Sequence, residues 1–449
     1  MLKAGFARMD VTPPFGNDLS GYYYRRLADG VLDPLYLNAV AVSNGEETVI
    51  LMAIDYIGVK LSVSKMLCNM ISERTGVPAD HVLIAALHQH TGPCFEGKDG
   101  PPDPIRTHKG HEHGLSDKTF LDTLCRKFAD TAQMAIDDMR EATMGTATQE
   151  VAEKIAFVRR YFTKEKGVVT NPGRGLTLLK RCAEPDNTMR LVRFKREGAK
   201  DIAIVNFSTH PDVIGGTKWS ADWPGFTRTF VEADNDDVSC IFFTGCQGDS
   251  NHVDHYKPKE ERIKDGNGYV HSRYMGRTVA DAVKAAWDRV EWQSTDTIFG
   301  EQRVIYNITN TEGLDKYDEC KAWCEEYASG NMPEEKKNME DMAYSHRVVD
   351  LINQPIFRPV PLIALGVGNV AFVGFGGEAF TSYGATTRAL LPEKFVMCSV
   401  CTNGYEGYFP TAEAFEQGGY EAVSSFFTPT LEGEIVEALS DIFEKNNCK

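Results

Sequence analysis

Short apolar, β-rich segments recur along this chain and alternate with segments that have the periodicity of amphipathic helices. The β-rich segments are LNAVAVS, TVILMAIDYIGV, HVLIAAL, DIAIVNFSTH, VSCIFFTG, PLIALGVG, NVAFVGFGG and KFVMCSVCT. Residues 117–139 and the segment SRYMGRTVADAVKAAWDRV carry apolar side chains on one helical stripe. Because helices packed on a sheet bury both kinds of apolar surface, this alternation predicts an α/β fold with a central mixed β-sheet flanked by helices.

The domain organisation is predicted from the continuity of this pattern. A length of 449 residues suits roughly one large domain or two to three ordinary ones, and no repeat or low-complexity linker divides the chain. We therefore predict that residues 1–449 form a single catalytic domain with no additional C-terminal domain. The most charged segment, about 312–350, has the pattern of two helices broken by SGNMP, and we expect a helical insertion with a solvated outer face.

Composition narrows the functional class. The net charge of −16 argues against a nucleic-acid partner, whose phosphates are bound by Lys and Arg. No apolar run reaches the roughly 18 residues that a membrane-spanning helix needs, and the N-terminus has no signal-peptide pattern. The 11 cysteines are scattered and odd in number, which favours reduced thiols. We expect a cytoplasmic protein with a small-molecule substrate and no stable membrane association; its oligomeric state is not predicted.

Four of the buried-strand patterns end in side chains that can bind a metal ion. VLIAALHQH ends in His88 and His90, and IAIVNFSTHP ends in His210. NVAFVGFGGE ends in Glu378, and FVMCSVCTNGY ends in Tyr405. A single histidine at a strand end is more often a hydrogen-bonded structural residue, but ligands of α/β sheets bind beyond the carboxyl ends of the strands. Two imidazoles, a carboxylate and an open position suit catalytic zinc, so we predict a metal site at the strand C-terminal ends.

Ordered sequence blocks then carry a resemblance to a known family. The blocks are AGFARMDVTPPFGNDLSGY with GVLDPLYLNAVAV, ALHQHTGP, VRRY with TNP, VNFSTHPD, SADWPG, FFTGCQGD, GGEAFTSYG, and NGYEGYFPTAEAF with GGYEA. Over nearly its whole length the chain resembles the neutral/alkaline, non-lysosomal ceramidase family, whose members are zinc-dependent amidases. The resemblance implies a zinc-dependent hydrolase that cleaves an amide C–N bond with metal-activated water.

Carried over position by position, the resemblance implies that one zinc ion per chain is bound by His88, His210, Glu378 and Tyr405. A phenol is an unusual zinc ligand, and the alternative for Tyr405 is a packed aromatic with a satisfied hydroxyl.

The resemblance also implies residues that face the substrate. They are His90, Arg159 and Tyr408. In an amide hydrolase His90 or a nearby acid would pass a proton to the leaving amine, and Asn251 or Tyr408 would stabilise the oxyanion. The guanidinium of Arg159 suits a carboxylate or an oxyanion. Asp55 and Asp249 follow strand patterns and are candidate hydrogen-bond partners of the ligand imidazoles.

The chain departs from the family pattern at the catalytic serine. Family members carry a serine two residues beyond the aspartate of a Gly-Asp motif, whereas QGDSNHVDH has Asn251 there and Ser250 one residue earlier. Either the loop shifts register so that Ser250 serves, or metal-activated water attacks and Asn251 donates to the oxyanion. We favour the second alternative.

The segment FEGKDGPPDPIRTHKGHEHGL follows the HQH turn and contains His108, His111 and His113. These side chains would form a second metal site or line the pocket mouth; the alternative is a solvated surface loop. The segment holds few large apolar side chains, so we predict a small water-soluble substrate, bound through Arg159 and this loop, in preference to ceramide. An ester or lactone hydrolase or a lyase for a small polar metabolite is the alternative function.

The cysteine pairs CSVC at 398–401 and Cys320 with Cys324 also invite a zinc or redox interpretation. Neither has a second CxxC at zinc-finger spacing, so we expect buried structural thiols.

Overall fold

A mixed β-sheet with helices on its faces dominates the computed structural model, which describes residues 1–96, 117–173, 175–258, 261, 268–294, 296–334 and 337–446. The predicted α/β class is confirmed. The largest sheet has nine strands among these residues, and in spatial order its path runs Val238–Thr244, Asp201–Phe207, Thr188–Arg196, Arg140–Glu150, Lys3–Asp10, Tyr36–Ser43, Thr48–Ile54 and Val82–Ala86, with Glu291–Trp292 paired to Arg140–Glu150. The interior pairs are antiparallel, and the outermost pair at each end is parallel.

A second sheet of four strands packs against the first. Its order is Ile298–Ile308, Phe357–Val367, Val370–Phe375 and Phe395–Ser399, and its last pair is parallel. Alternate side chains of Phe357–Val367 enter two different apolar cores, since Ile363 and Leu365 share one core with the large sheet whereas Leu362 lies in the other. This alternation is the period of two expected for a strand that is buried on both faces.

Short strands join the segments around the sheet ends. They are Asp18–Leu19 with Arg26–Leu27, Gly30–Val31 with Lys218–Trp219, Gly58–Val59 with Cys94–Phe95, Phe157–Val158 with Ser250–Asn251, Glu378–Ala379 with Tyr408–Phe409, and the three-stranded set Arg160–Thr163, Gly167–Thr170 and Leu178–Arg181.

The helices cover both faces of the sheets. They are Leu61–Thr75, Lys118–Asp137, Asp222–Ala233, Tyr269–Ala286, Tyr317–Ala328, Met339–Asp350, Thr381–Leu390, Ala412–Gln417, Tyr420–Ser424 and Leu431–Lys445. Helix Lys118–Asp137 packs on the large sheet so closely that a Cβ at Gly5 would overlap the Ala135 carbonyl oxygen. None of the described helices is long and apolar enough to cross a membrane.

The charged segment near 312–350 contains two helices, as its pattern indicates. Tyr317–Ala328 and Met339–Asp350 pack together around a small core that includes Cys320, Cys324 and Val348. Its interpretation as an insertion, and the single-domain organisation, stay predictions.

Segment 398–403 connects the ends of strands that belong to different parts of the structure. Val400 N–H donates to the Thr244 carbonyl at 3.1 Å, and Ala86 N–H donates to the Cys401 carbonyl at 3.1 Å. Asn206 Nδ2 donates to the Cys398 carbonyl at 2.9 Å. The carboxyl ends of strands from both sheets therefore meet at one place.

A buried ion pair near this place provides a stability test. Asp55 and Arg228 form two hydrogen bonds of 2.7 and 2.6 Å, and their side chains are 0% and 3% exposed. We predict that Asp55→Ala destabilises the protein by about 3–5 kcal/mol, because it leaves a buried guanidinium without its charge partner. Chemical denaturation measures this free energy of unfolding.

Asp234→Ala is the matched control, because Asp234 pairs with Arg277 at the surface and should contribute less than about 1 kcal/mol. Equal losses in the two variants would contradict the account of the buried pair.

Candidate metal centre

Three buried histidines lie together beyond the strand ends. The potential ligand nitrogens of His88, His90 and His210 are all within 4.8 Å of one another. The ring centroids of His88 and His210 are 4.8 Å apart, and His90 lies 5.3 and 5.2 Å from them. His90 N–H also donates to the Pro211 carbonyl at 3.1 Å, which ties the HQH and THP segments to each other.

His88 has a strained backbone and a fixed ring. Its φ of 71° lies in the left-handed region, which non-glycine residues rarely occupy and which recurs at functional sites. Its Nδ1 lies 2.9 Å from the Ile57 carbonyl oxygen, so Nδ1 carries the proton and donates. This bond leaves the Nε2 lone pair available, as in metal-ligating histidines.

His210 and Glu378 complete the inner face of the cluster. Nδ1 of His210 lies 3.4 Å from the Gln247 carbonyl oxygen, so its Nε2 is likewise the available nitrogen. Nε2 of His88 and Nε2 of His210 lie 3.2 and 3.7 Å from the same oxygen, Glu378 Oε2. Within the described residues none of these three buried atoms has a hydrogen bond of good geometry. Orphaned donor atoms of this kind fit a bound cation.

Tyr405 reaches the cluster from the segment beyond strand Phe395–Ser399. Its hydroxyl lies 3.5 Å from Glu378 Oε1. A Cβ at Gly58 would overlap the Tyr405 ring, so that position accepts only glycine without displacing the phenol. Lys60 Nζ lies 5.1 Å from the ring centroid and 3.4 Å from the Tyr405 carbonyl oxygen. The phenol is therefore held beside the carboxylate by packing as well as by polar contacts.

His90 occupies the outer side of the cluster. A Cβ at Gly21 would come within 2.5 Å of its Nδ1, so the segment around Gly21 packs directly on the ring. Nδ1 is 3.6 Å from Asp212 Oδ1, and neither ring nitrogen has a hydrogen bond within the described part of the chain.

The electrostatics of the cluster favour different protonation states for its members before an ion binds. Burial, together with nearby positive groups, lowers the pKa of His90 and His210 well below the usual value, which keeps both rings neutral. Burial opposes a charge on His88, but Glu378 and Cys401 raise its pKa above the usual range. Burial would raise the pKa of Glu378, yet His88 and Arg159 lower it. The carboxylate is ionised, and a cation would displace the His88 proton.

Arg159 borders the cluster and is itself fixed by three bonds. Nε donates to Glu421 Oε1 at 2.7 Å, and Nη2 donates to the Gly248 carbonyl at 2.8 Å and to the Tyr408 hydroxyl at 3.0 Å. Among the described residues no bond engages Nη1. Arg159 therefore positions the Tyr408 hydroxyl and keeps one N–H group for another acceptor.

The QGDSN segment presents its two candidate side chains differently. Ser250 Oγ donates to the Gln247 carbonyl at 3.3 Å. Asn251 Nδ2 donates to Asn171 Oδ1 at 2.8 Å, while Val253 N–H donates to Asn251 Oδ1 at 2.9 Å. Asn251 thus has one N–H group committed to Asn171.

The two aspartates expected beside the ligand imidazoles make other bonds. Asp249 accepts from the backbone N–H and the hydroxyl of Thr381, at 2.8 and 2.7 Å, at the start of helix Thr381–Leu390. Asp55 is paired with Arg228. The backbone carbonyls of Ile57 and Gln247 contact the imidazoles instead.

Several residues at the site were missed from the sequence. Cys401, expected to be only structural, has its Sγ 3.4 Å from His88 Nδ1. Tyr22, Asp212 and Glu421 lie within the blocks DLSGY, VNFSTHPD and GGYEA, which could have singled them out. His108, His111 and His113 lie outside the described residues.

Comparison with known proteins shows which known fold the chain resembles. No protein-family model and no curated protein sequence matches the chain. A crystal structure of neutral ceramidase from Pseudomonas aeruginosa is similar, with a TM-score of 0.71 and 14% identity over 98% of this chain and 73% of that one. A structure described as ceramidase complexed with C2 has a TM-score of 0.70 and 13% identity, over 99% of this chain and 75% of that one. The chain has a neutral ceramidase-like fold. The resemblance predicted from ordered sequence blocks is confirmed at the level of the ceramidase-like fold.

We predict that the purified protein binds about one divalent cation per chain and that His88→Ala and His210→Ala each lose most of it. The physical reason is that each variant removes one of the Nε2 atoms that face Glu378. Elemental analysis after dialysis measures the metal content.

His81→Ala is the control, because His81 is a buried histidine bonded to the Thr48 carbonyl and lies outside the cluster. Full metal content in both cluster variants would show that these histidines are not ligands.

Proposed function

We propose that the protein is a zinc-dependent hydrolase that cleaves an amide C–N bond in a small soluble substrate. The observation that carries the proposal is the buried cluster in which His88 Nε2, His210 Nε2 and Glu378 Oε2 face one another without good hydrogen bonds. The ceramidase-like fold supports it, because both similar structures are described as ceramidases. Nitrogen and oxygen donors of this kind suit zinc, one ion per chain.

In the proposal His88, His210, Glu378 and Tyr405 hold the ion. When bound, zinc acts as a Lewis acid that polarises a carbonyl oxygen and makes a water molecule more acidic. The chain's own contribution is to fix the ligands: the Ile57 carbonyl orients His88, and the Gln247 carbonyl orients His210.

His90 is the proposed proton carrier. Its ring lies beside both ligand histidines, and its nitrogens have no hydrogen bonds within the described residues. A neutral imidazole in this place accepts a proton during attack and returns it to the leaving amine nitrogen. Asp212, 3.6 Å from Nδ1, favours the protonated ring between these two events.

Tyr408 and Asn251 are the proposed donors to the oxyanion. The Tyr408 hydroxyl accepts a hydrogen bond from Arg159, which leaves its own proton available for an oxygen that gains negative charge. Asn251 has a second N–H group besides the one bonded to Asn171. In this scheme water is the nucleophile, and Ser250 is not required.

A small soluble substrate is proposed because of the polarity of Arg159, which borders the cluster, and of the segment that follows the HQH turn in the sequence. Arg159 keeps Nη1 for a substrate acceptor, and the segment EGKDGPPDPIRTHKGHEHG has only Ile105 as a large aliphatic residue. At about 0.8 kcal/mol per buried methylene, a long acyl chain needs more apolar contact than such groups provide. We also propose a cytoplasmic location, which the scattered and odd number of cysteines, 11 in all, supports.

The test measures which compounds the zinc-loaded protein hydrolyses, from a panel of short N-acyl compounds, long-chain ceramide, esters and lactones. We expect turnover of short N-acyl compounds and little turnover of long-chain ceramide dispersed in detergent. Efficient cleavage of the ceramide alone would contradict the small-substrate proposal. Cleavage of esters and lactones without any amide would assign the alternative hydrolase function.

On whichever substrate is cleaved, we predict that Ser250→Ala keeps activity within about tenfold, whereas Glu378→Ala loses more than about 100-fold. Changes in the partners of metal ligands already cost 10–100-fold, so loss of a ligand should cost more. Steady-state kinetics of the two variants decide between the mechanisms. A serine variant as inactive as the glutamate variant would establish a serine-assisted attack.

A further inference from the structure

Three consecutive tyrosines, Tyr22, Tyr23 and Tyr24, lie on the outer side of the metal cluster. They belong to an irregular segment between the short strands Asp18–Leu19 and Arg26–Leu27. The three side chains contact different parts of the molecule, and none of the three tyrosines has a role in the chemistry proposed above.

Tyr22 packs on the catalytic histidine. Its ring meets the His90 ring edge to face, with centroids 5.5 Å apart, and its hydroxyl donates to Asp212 at 2.5 Å. The guanidinium of Arg26 lies over the Tyr22 ring, 4.0 Å from its centroid, and also donates to the His90 carbonyl at 2.6 Å. Tyr22 is therefore a fixed wall of the site.

Tyr24 extends this wall outward. Its ring is parallel to that of Tyr22, with an interplanar angle of 2° and centroids 5.5 Å apart. The residue is nevertheless 59% exposed. Aromatic rings thus continue from His90 through two ring contacts to Tyr24. Tyr327 of helix Tyr317–Ala328 contacts the His346 ring, with centroids 6.5 Å apart.

Tyr23 connects the same segment to the opposite side of the site. Its ring lies 5.1 Å from the His346 ring, and its hydroxyl is 3.4 Å from that of Tyr420. Tyr420 in turn packs on Tyr408 at 5.6 Å. The tyrosine segment therefore bridges the His90 side and the Tyr408 side of the centre, and the paired helices supply the outer boundary.

We infer that Tyr22, Tyr23 and Tyr24, with Tyr327 and His346, form a binding subsite for an aromatic ring carried by the substrate. The inference rests on the proposed function, because it assumes that the amide is cleaved at the metal centre. The substrate ring would lie farther out, beside Tyr24, which is two ring contacts away from His90. The occupant is the ring-bearing part of a small amide.

The chemistry of the subsite distinguishes a ring from a saturated chain. Tyrosine faces interact with aromatic rings through offset and edge-to-face contacts, which contribute binding energy beyond that of the buried area. An alkyl chain gains only the energy of the area that it buries. Tyr22 and Tyr23 are held by their hydroxyls or by stacking, so they need little reorganisation when a ring binds. The exposed face of Tyr24 is the part that a ligand would cover.

The test compares N-(4-phenylbutyl)acetamide with N-decylacetamide on the zinc-loaded protein, with binding and cleavage followed separately in one NMR sample. The four-carbon spacer lets the ring reach Tyr24 while the amide lies at the metal centre, and we expect the phenyl compound to bind about threefold to tenfold more tightly. Tyr24→Leu should abolish this preference, and Tyr24→Phe should retain it, because the phenylalanine ring keeps the aromatic face.

Tyr306→Leu is the matched control. Tyr306 is also 59% exposed, but it lies on strand Ile298–Ile308, and the preference should be unchanged. Equal binding of the two compounds by the wild type, or equal effects of the Tyr24 and Tyr306 changes, would overturn the subsite. A retained ring preference without any cleavage would instead contradict the proposed function and leave the subsite standing.

Discussion

The hydrogen bonds that tie segment 398–403 to the strand ends are the constraint on which the candidate metal centre depends. Cys401 bonds to Ala86, two residues before His88, and Val400 bonds to Thr244 on the strand beside the one that leads to His210. Because one segment is paired with both ends of the large sheet, histidines that are 122 residues apart come into ring contact. The same segment continues to Tyr405. If it moved, at least three of the proposed ligands would move with it.

Three residues of this arrangement have a strained backbone conformation, which contacts with the surrounding residues maintain. His88, Cys401 and Asn403 all have φ between 49° and 71°, where side chains other than glycine are disfavoured. Each such residue costs on the order of 1–3 kcal/mol and persists because the neighbouring contacts determine its conformation. Asn403 illustrates this, since its side chain bonds to Ile84 N–H at 2.6 Å and to the Val82 carbonyl at 2.9 Å. The result is a site whose ligands are oriented by backbone groups before any ion binds.

Much of this site could be predicted because its chemistry lies at strand ends, where local sequence patterns are informative. The HQH and STHP segments follow apolar runs directly, so their position at strand ends could be predicted. Their contact could not, because the two strands lie near opposite ends of the large sheet and segment 398–403 brings these ends together. Tyr405 was harder to predict, because it lies six positions beyond Ser399, the last residue of the strand before it. The bond between Arg159 and Glu421 spans 262 positions, and nothing in either local pattern indicates it. The fold class depends on periodicity, whereas such pairs depend on tertiary packing that a single sequence does not display.

X-ray absorption spectroscopy of the zinc-loaded protein tests the central claim most directly, because it counts the atoms bound to the ion without requiring a substrate. The account predicts a first shell of nitrogen and oxygen at about 2.0–2.2 Å with at least two imidazoles, and no sulfur although the Cys401 thiol lies 3.4 Å from His88 Nδ1. His88→Ala should remove the imidazole signature or the ion itself. A sulfur shell near 2.3 Å, or a first shell without imidazole, would contradict the assignment of this cluster as the metal centre.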